Sequence, residues 1–310
     1  MILGQAHPRA MLRRITAAFP ELGKSDVRVI NSDLQLDDLP ASDAAIATLW
    51  TTAYSLLKFR RTRRKFYFIQ YYEPLFYPAG STSALVEATY DFGFTGICNT
   101  ISLKEIYQAQ GGKAEYFDPS IDASIFYRSR GERGNRKPYL LFCYARPGHP
   151  RNCFELLMEA LKRLKQRLGE DVSIVTAGAE WSPAAYGVEG VIRNLGLLGY
   201  RETGALYRAC DAGVVAMKTR HPSYLPMELM ACGAAVVTNR NPYTGWLLRD
   251  GENCVLAETS PSALAESLEE VLRDTALRAR LAEASAEVVG RYSDWAAQAE
   301  KIYQFMVAQC

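Results

Sequence analysis

Short apolar runs separated by amphipathic stretches fill the second half of the chain, and this alternation limits the fold more than any other feature. Tyr139–Tyr144, Val172–Ala177, Gly213–Met217 and Ala234–Val237 contain no charged residue. That is the pattern of strands in a parallel sheet covered on both faces by helices. Between the first two runs, Cys153–Arg167 carries apolar residues at 153, 156, 157, 160, 161 and 164, one face of an amphipathic helix. Strand and helix in regular succession predict an α/β domain with a doubly wound sheet. In such a sheet the loops at the carboxyl ends of the strands face the ligand cleft.

One of those loops is rich in chemistry. The segment that begins at Arg220 reads RHPSYLPMELMACGAAVVTN. Pro226 suits a first helical turn, where its missing N–H would be unpaired anyway. Glu228 then lies in the turn where the helix dipole favours an acid, and Gly233 closes the helix. A helix start beside free N–H groups is a phosphate site, and Glu228 next to it is placed to hold hydroxyls. The plainer reading is an ordinary αβ unit with an N-terminal acid.

Composition removes several alternatives. At 310 residues the chain is long enough for two domains. A net charge of +2 gives no global field for nucleic acid. Seven cysteines without a C-x-x-C pair fit a reduced, cytoplasmic protein. The histidines are His7, His149 and His221, with no metal-ligand spacing, so no metal site is expected. No apolar run approaches the roughly 20 residues of a membrane span. The opening MILGQAHPRAMLRR lacks a signal-peptide core. Lys58–Lys65, KFRRTRRK, has six basic residues in eight. It is either a solvated face or a contact for anionic lipid headgroups, which attract each nearby basic residue by about 1 kcal/mol.

The first half is less regular. A helix is expected around Ala10–Phe19, then strands at Val27–Ile30, Asp43–Thr48 and Phe66–Gln70, with a helix at Leu49–Leu57. Ser81–Tyr90 and Ser102–Gln110 read as helices, and Gly96–Asn99 and Ala114–Phe117 as strands. Phe66–Gln70 runs into the aromatic loop Tyr71–Ser81. Its rings could stack on sugar faces and Glu73 could bind hydroxyls, or the loop could simply be packed with Glu73 in solvent. Arg128–Pro138, RSRGERGNRKP, is linker-like.

The segment from Arg220 resembles the donor-binding signature of the family 4 glycosyltransferases, E-G-F-G-L-P-L-L-E-A-M-A-x-G. Pro226, Glu228, Met230, Ala231 and Gly233 fall in register, while Arg220 replaces the first glutamate. That variant, with His-Pro-Ser-Tyr before the proline, resembles the rhamnosyltransferase branch, as does FIQYYEPLFYPAGSTSALVEATYDFGF. Ala145-Arg146 with Arg151 resembles the family's G-R-x-x-x-x-K-G loop. Leu198-Gly199-Tyr200 resembles the segment beside the nucleotide base, and Asn241–Gly245 stands where the family has G-G-x-x-E. Gln70-Tyr71 occupies the place of the His-Asp that many members carry.

The resemblance implies an α/β, GT-B-like fold: two Rossmann-like, doubly wound domains facing a cleft. Residues 1–127 would form the acceptor side, 128–138 a linker, 139–290 the nucleotide-sugar domain and 291–310 a helix packing back. The first domain lacks an opening strand, glycine loop and helix, so it is expected to be truncated. The implied reaction is metal-independent, retaining transfer from a nucleotide-diphospho-sugar, first L-rhamnose from a dTDP donor, to a saccharide or lipid-linked glycan. No cofactor is implied beyond the donor substrate. Arg146, Arg151 and Glu73 are the implied catalytic residues. Gly199, Tyr200, Arg220, Ser223, Tyr224, Leu225, Glu228, Tyr243 and Thr244 are the implied donor contacts. A non-catalytic sugar-nucleotide-binding subunit and a nucleotide-sugar epimerase are the competing readings.

Overall fold

Two parallel sheets organise the computed structural model, which describes residues 8–27, 36, 39–129, 137–292 and 294–310. Most of the expected strand at Val27–Ile30 and of the linker at 128–138 lies outside the described residues. After helix α1 (Pro8–Ala18), the first sheet comprises β1 (Ser42–Ala47), β2 (Thr62–Ile69), β3 (Thr95–Asn99) and β4 (Ala114–Phe117), in that spatial order. Helices α2 (Trp50–Lys58), α3 (Ser81–Ala88) and α4 (Ile101–Ala109) connect them. Crossovers that are all right-handed and all step the same way put every connecting helix on one face.

Side-chain alternation along the strands follows that constraint. Tyr67, Ile69 and Cys98 pack with Ala53, Leu56, Leu103 and Tyr107 of α2 and α4. The intervening Phe66, Ile97 and Phe117 point the other way. Their cover comes from far along the chain. Helix α10 (Trp295–Val307) lays Ile302, Phe305 and Met306 on them. β2 begins earlier than its apolar run predicts, because pairing with β1 starts at Ser42 opposite Thr62. Arg63, Arg64 and Lys65 are therefore strand residues, and exposed Arg63 meets exposed Asp43 at 3.4 Å.

The second sheet has β5 (Tyr139–Tyr144), β6 (Val172–Ala177), β7 (Arg193–Asn194), β8 (Ala212–Val215), β9 (Ala235–Asn239) and β10 (Val255–Ala257). Its spatial order is β10-β9-β8-β5-β6-β7. The winding reverses between β5 and β8, and that switch point opens a crevice at the carboxyl ends of the strands. Helices α5 (Phe154–Leu168) and α8 (Pro261–Arg273) cover one face together with α9 (Thr275–Gly290). α6 (Tyr200–Ala209) and α7 (Leu225–Ala231) cover the other. The winding thus differs between the sheets: the described strands of the first show no reversal, and α10 supplies the layer that reversed crossovers would have provided.

The chain passes between the sheets twice, and the two crossings touch. The Ile121 amide donates to the Tyr292 carbonyl at 3.0 Å, and the Asp118 amide to Gln298 Oε1 at 2.9 Å. Among the described residues no helix is long and apolar enough to cross a membrane.

Candidate active site

At the switch point lies a cavity of about 290 Å³. Arg146, Arg151 and Asn152 enter it from the loop after β5, Met217 and Thr219 from the loop after β8, and Ser223, Tyr224, Leu225 and Glu228 from the start of α7. Tyr71, at the end of β2, closes it from the first sheet. Six of the residues singled out in the sequence, Arg146, Arg151, Ser223, Tyr224, Leu225 and Glu228, therefore share one cavity.

Its electrostatics are unusual for a protein surface. Arg146 donates to His149 Nε2 at 3.0 Å and lies 3.5 Å from the Tyr144 hydroxyl. Since a guanidinium only donates, Nε2 is the acceptor in this contact. Arg151 is packed against aromatic rings. Among the described residues no carboxylate forms an ion pair with Arg146, Arg151 or Arg220. Glu228 lines the same cavity, and burial raises its carboxyl from 4.5 to about 7. A desolvated acid in one cavity with guanidinium groups that have no carboxylate partner among the described residues suits a ligand that carries both hydroxyls and negative charge.

The loops that build the cavity are pinned by asparagines. Asn239 Oδ1 accepts from the Met217 amide at 2.6 Å, and its Nδ2 donates to the Met217 carbonyl at 3.0 Å. Asn241 Nδ2 donates to the Met217 and Thr219 carbonyls at 3.0 and 2.8 Å. Tyr144 lies flat over Gly178, where a Cβ would stand 2.6 Å from the ring and φ is +127°. Gly178→Ala is expected to displace Tyr144 from its contact with Arg146 and to destabilise the fold by about 1–3 kcal/mol. Denaturant unfolding with ligand titration checks both effects.

Other residues singled out in the sequence stand elsewhere. Gly199 caps α6, and Tyr200, 56% exposed, packs edge-on to Phe126 at 5.3 Å. Burial, followed by the charge of Glu228, pushes the Tyr200 hydroxyl up to about 12. Tyr200 is thus near Glu228 without lining the cavity. Arg220 lies over the Tyr72 and Tyr243 rings, at 4.5 and 5.8 Å. The Tyr243 carbonyl accepts from Ser102 of α4 at 2.9 Å. Thr244 is buried, and its hydroxyl donates to the Asn241 carbonyl at 3.0 Å, so it is turned away from the cavity.

Glu73 requires a correction. The expected ligand-facing or solvent-facing carboxylate is 3% exposed, drawn under the loop by the 3-10 turn Glu73–Phe76. Its Oε2 accepts from the Trp50 amide at 2.8 Å and the Tyr67 hydroxyl at 3.2 Å, and burial raises its pKa. It anchors the aromatic loop rather than facing a substrate. Glu73→Ala is expected to leave two buried donors unpaired and cost about 2–4 kcal/mol, read as a shifted denaturant midpoint. The structure adds Tyr71, Tyr144, Tyr207, Asn239 and Asn241 to the site. For the asparagines the available signal was their position at the exit of a buried strand.

Comparison with known proteins bears on the fold. Residues 139–269 match the family described as WsaF, C-terminal domain. The chain is 49% identical over 277 residues to the O-antigen biosynthesis protein RfbC of Myxococcus xanthus, covering 89% of this chain and 22% of that protein. It is 31% identical over 109 residues to the lipopolysaccharide core biosynthesis glycosyltransferase LpsE of Rhizobium meliloti, covering 34% of this chain and 32% of that one. The chain thus spans less than a third to about a third of these relatives. Sucrose-phosphate synthase from Thermosynechococcus elongatus superposes with a TM-score of 0.71 at 14% identity, covering 100% of this chain and 83% of that one. Anabaena HepE, solved with UDP and glucose, gives 0.68 at 17% identity, covering 86% and 78%. The chain has the α/β fold of the GT-B glycosyltransferases.

Proposed function

We propose that this chain is a glycosyltransferase unit of O-antigen or related polysaccharide biosynthesis that takes its sugar from a nucleotide-diphospho-sugar. The observation that carries the reading is the pair of guanidinium groups, Arg146 and Arg151, which share a cavity with the desolvated Glu228 and form no ion pair among the described residues. Breaking the sugar–phosphate bond builds negative charge on the leaving diphosphate. Two planar donors fixed beforehand stabilise that charge without reorganising. Glu228 accepts from the ribose hydroxyls and fixes the donor. Arginine thereby supplies the positive charge that a metal ion provides elsewhere, and the leaving phosphate serves as acceptor-proton base in a retaining transfer.

The finer assignments rest on the resemblance at His221–Tyr224 and Phe68–Phe94. They are L-rhamnose as the sugar, a thymidine diphosphate donor, and a saccharide or lipid-linked acceptor approaching the first sheet. The basic run Lys58–Lys65 would hold the chain against the inner face of a membrane, in the cytoplasm. Glu73, turned inward, leaves the acceptor side without a carboxylate at that position, which favours a second reading: a non-catalytic sugar-nucleotide-binding subunit that needs a partner.

Calorimetric titration with thymidine, uridine and guanosine diphosphates tests the first step. Selective binding that Glu228→Ala weakens is the expected result; no binding to any of the three would sink the donor site. Turnover of the matching nucleotide sugar by the chain alone separates transfer from scaffolding.

A further inference from the structure

Arg151 is carried by the second sheet but held by the first. It belongs to the short 3-10 turn Pro150–Asn152 that follows β5. Its guanidinium carbon lies 4.1 Å from the centroid of the Phe76 ring and 5.3 Å from that of Tyr71. The two rings are 5.4 Å apart, and both belong to the loop after β2. Arg220 meets the same loop, 4.5 Å over Tyr72. Two cations of the donor half thus rest on aromatic faces supplied by the other half.

An aromatic face suits this task better than a carboxylate would. It attracts the cation through its quadrupole but accepts none of the in-plane N–H groups. The guanidinium is oriented while its donors and its charge remain available to an anion. The loop that presents the rings is itself fixed at three points. The Tyr90 hydroxyl donates to the Tyr71 carbonyl at 3.2 Å, the Tyr72 hydroxyl donates to Glu87 at 3.0 Å, and Glu73 accepts from Trp50 and Tyr67.

We propose that Phe76, assisted by Tyr71, is a positioning residue for Arg151, so that the aromatic loop of the first sheet sets the diphosphate affinity of the site on the second. This inference rests on the donor-site reading and deepens it. Phe76 touches no reacting atom; it acts through the orientation of one guanidinium. The face, rather than the volume, of residue 76 is what matters.

Titration with inorganic pyrophosphate tests it, using wild type, Phe76→Leu, Phe76→Tyr, Arg151→Ala and the double variant Phe76→Leu/Arg151→Ala. Phe76→Leu is expected to bind pyrophosphate about threefold to thirtyfold more weakly, the range of a partly desolvated cation–π contact. Phe76→Tyr, which keeps a ring face, is expected to bind like wild type. In the Arg151→Ala background the leucine change is expected to add nothing, because the group it positions is gone. Wild-type affinity in Phe76→Leu, or an equal loss with and without Arg151, would overturn the positioning role while leaving the donor site standing. If the wild type bound neither pyrophosphate nor any nucleoside diphosphate, the donor-site reading and this inference would fall together.

Discussion

Arg151→Ala is expected to lower kcat for sugar transfer by about 10²–10³-fold, the usual cost of removing one preorganised donor from a developing negative charge. The group lines the cavity and has no carboxylate partner among the described residues, so its charge is available to a ligand there. Because charge accumulates on the leaving diphosphate as the bond breaks, the loss should fall more on kcat than on KM. Arg151→Lys is expected to recover part of the rate: an ammonium keeps the charge but loses the planar fork and the flat contact with Phe76. Initial rates at saturating and limiting donor separate these effects. An unchanged kcat in Arg151→Ala would place the residue outside the chemistry.

Glu228→Gln carries the second large effect and a pH signature. Burial holds the free carboxyl at about 7, so at neutral pH it is near half protonation. Sugar hydroxyls donate to the ionised form, so a bound nucleotide lowers the pKa and binding releases a proton below pH 7. Nucleotide affinity should therefore fall by up to about tenfold per unit as pH drops below 7, and level off above it. The glutamine variant should show no such slope and bind about tenfold to a hundredfold more weakly at pH 8.

Stability should move the opposite way. A folded-state pKa raised from 4.5 to about 7 means that the protonated acid favours the fold. That contribution is complete below pH 4.5 and is lost as pH rises through 7. Without ligand, Glu228→Gln should thus be more stable than wild type at pH 8, by on the order of 2–3 kcal/mol. Denaturant unfolding at pH 5 and pH 8 reads the difference; equal stabilities at both would contradict the raised pKa.

The second sheet was legible because burial on both faces writes itself into composition. β5 and β6 begin and end where their apolar runs do. The convergence of Arg146, Arg151 and Glu228 followed from loops at strand ends meeting at a switch point. Direction of a side chain within a loop was not legible in the same way. Glu73 and Thr244 have the right chemistry in the right segments, yet one tight turn buries each of them. The sequence leaves the rings of the loop after β2 as sugar platforms or as packing, and in the structure Phe76 and Tyr72 face guanidinium groups. The bonds of Asn239 and Asn241 are not legible because their partners at 217 and 219 lie more than twenty positions earlier. Residue type announces a hydrogen bond; it does not announce with whom.

Helix α10 has a consequence for how the molecule is made. The side of the first sheet formed by Phe66, Ile97 and Phe117 is covered by residues that leave the ribosome long after β4, at a separation of 180 positions for Asp118 and Gln298. The later-made sheet, by contrast, closes its layers from its own residues together with Ile121, Ile125 and Phe126, which are made before it. Synthesis therefore runs ahead of folding in the first half and in step with it in the second. An apolar surface waits uncovered while an entire Rossmann-like unit is built, the kind of interval in which nascent chains associate wrongly or engage chaperones.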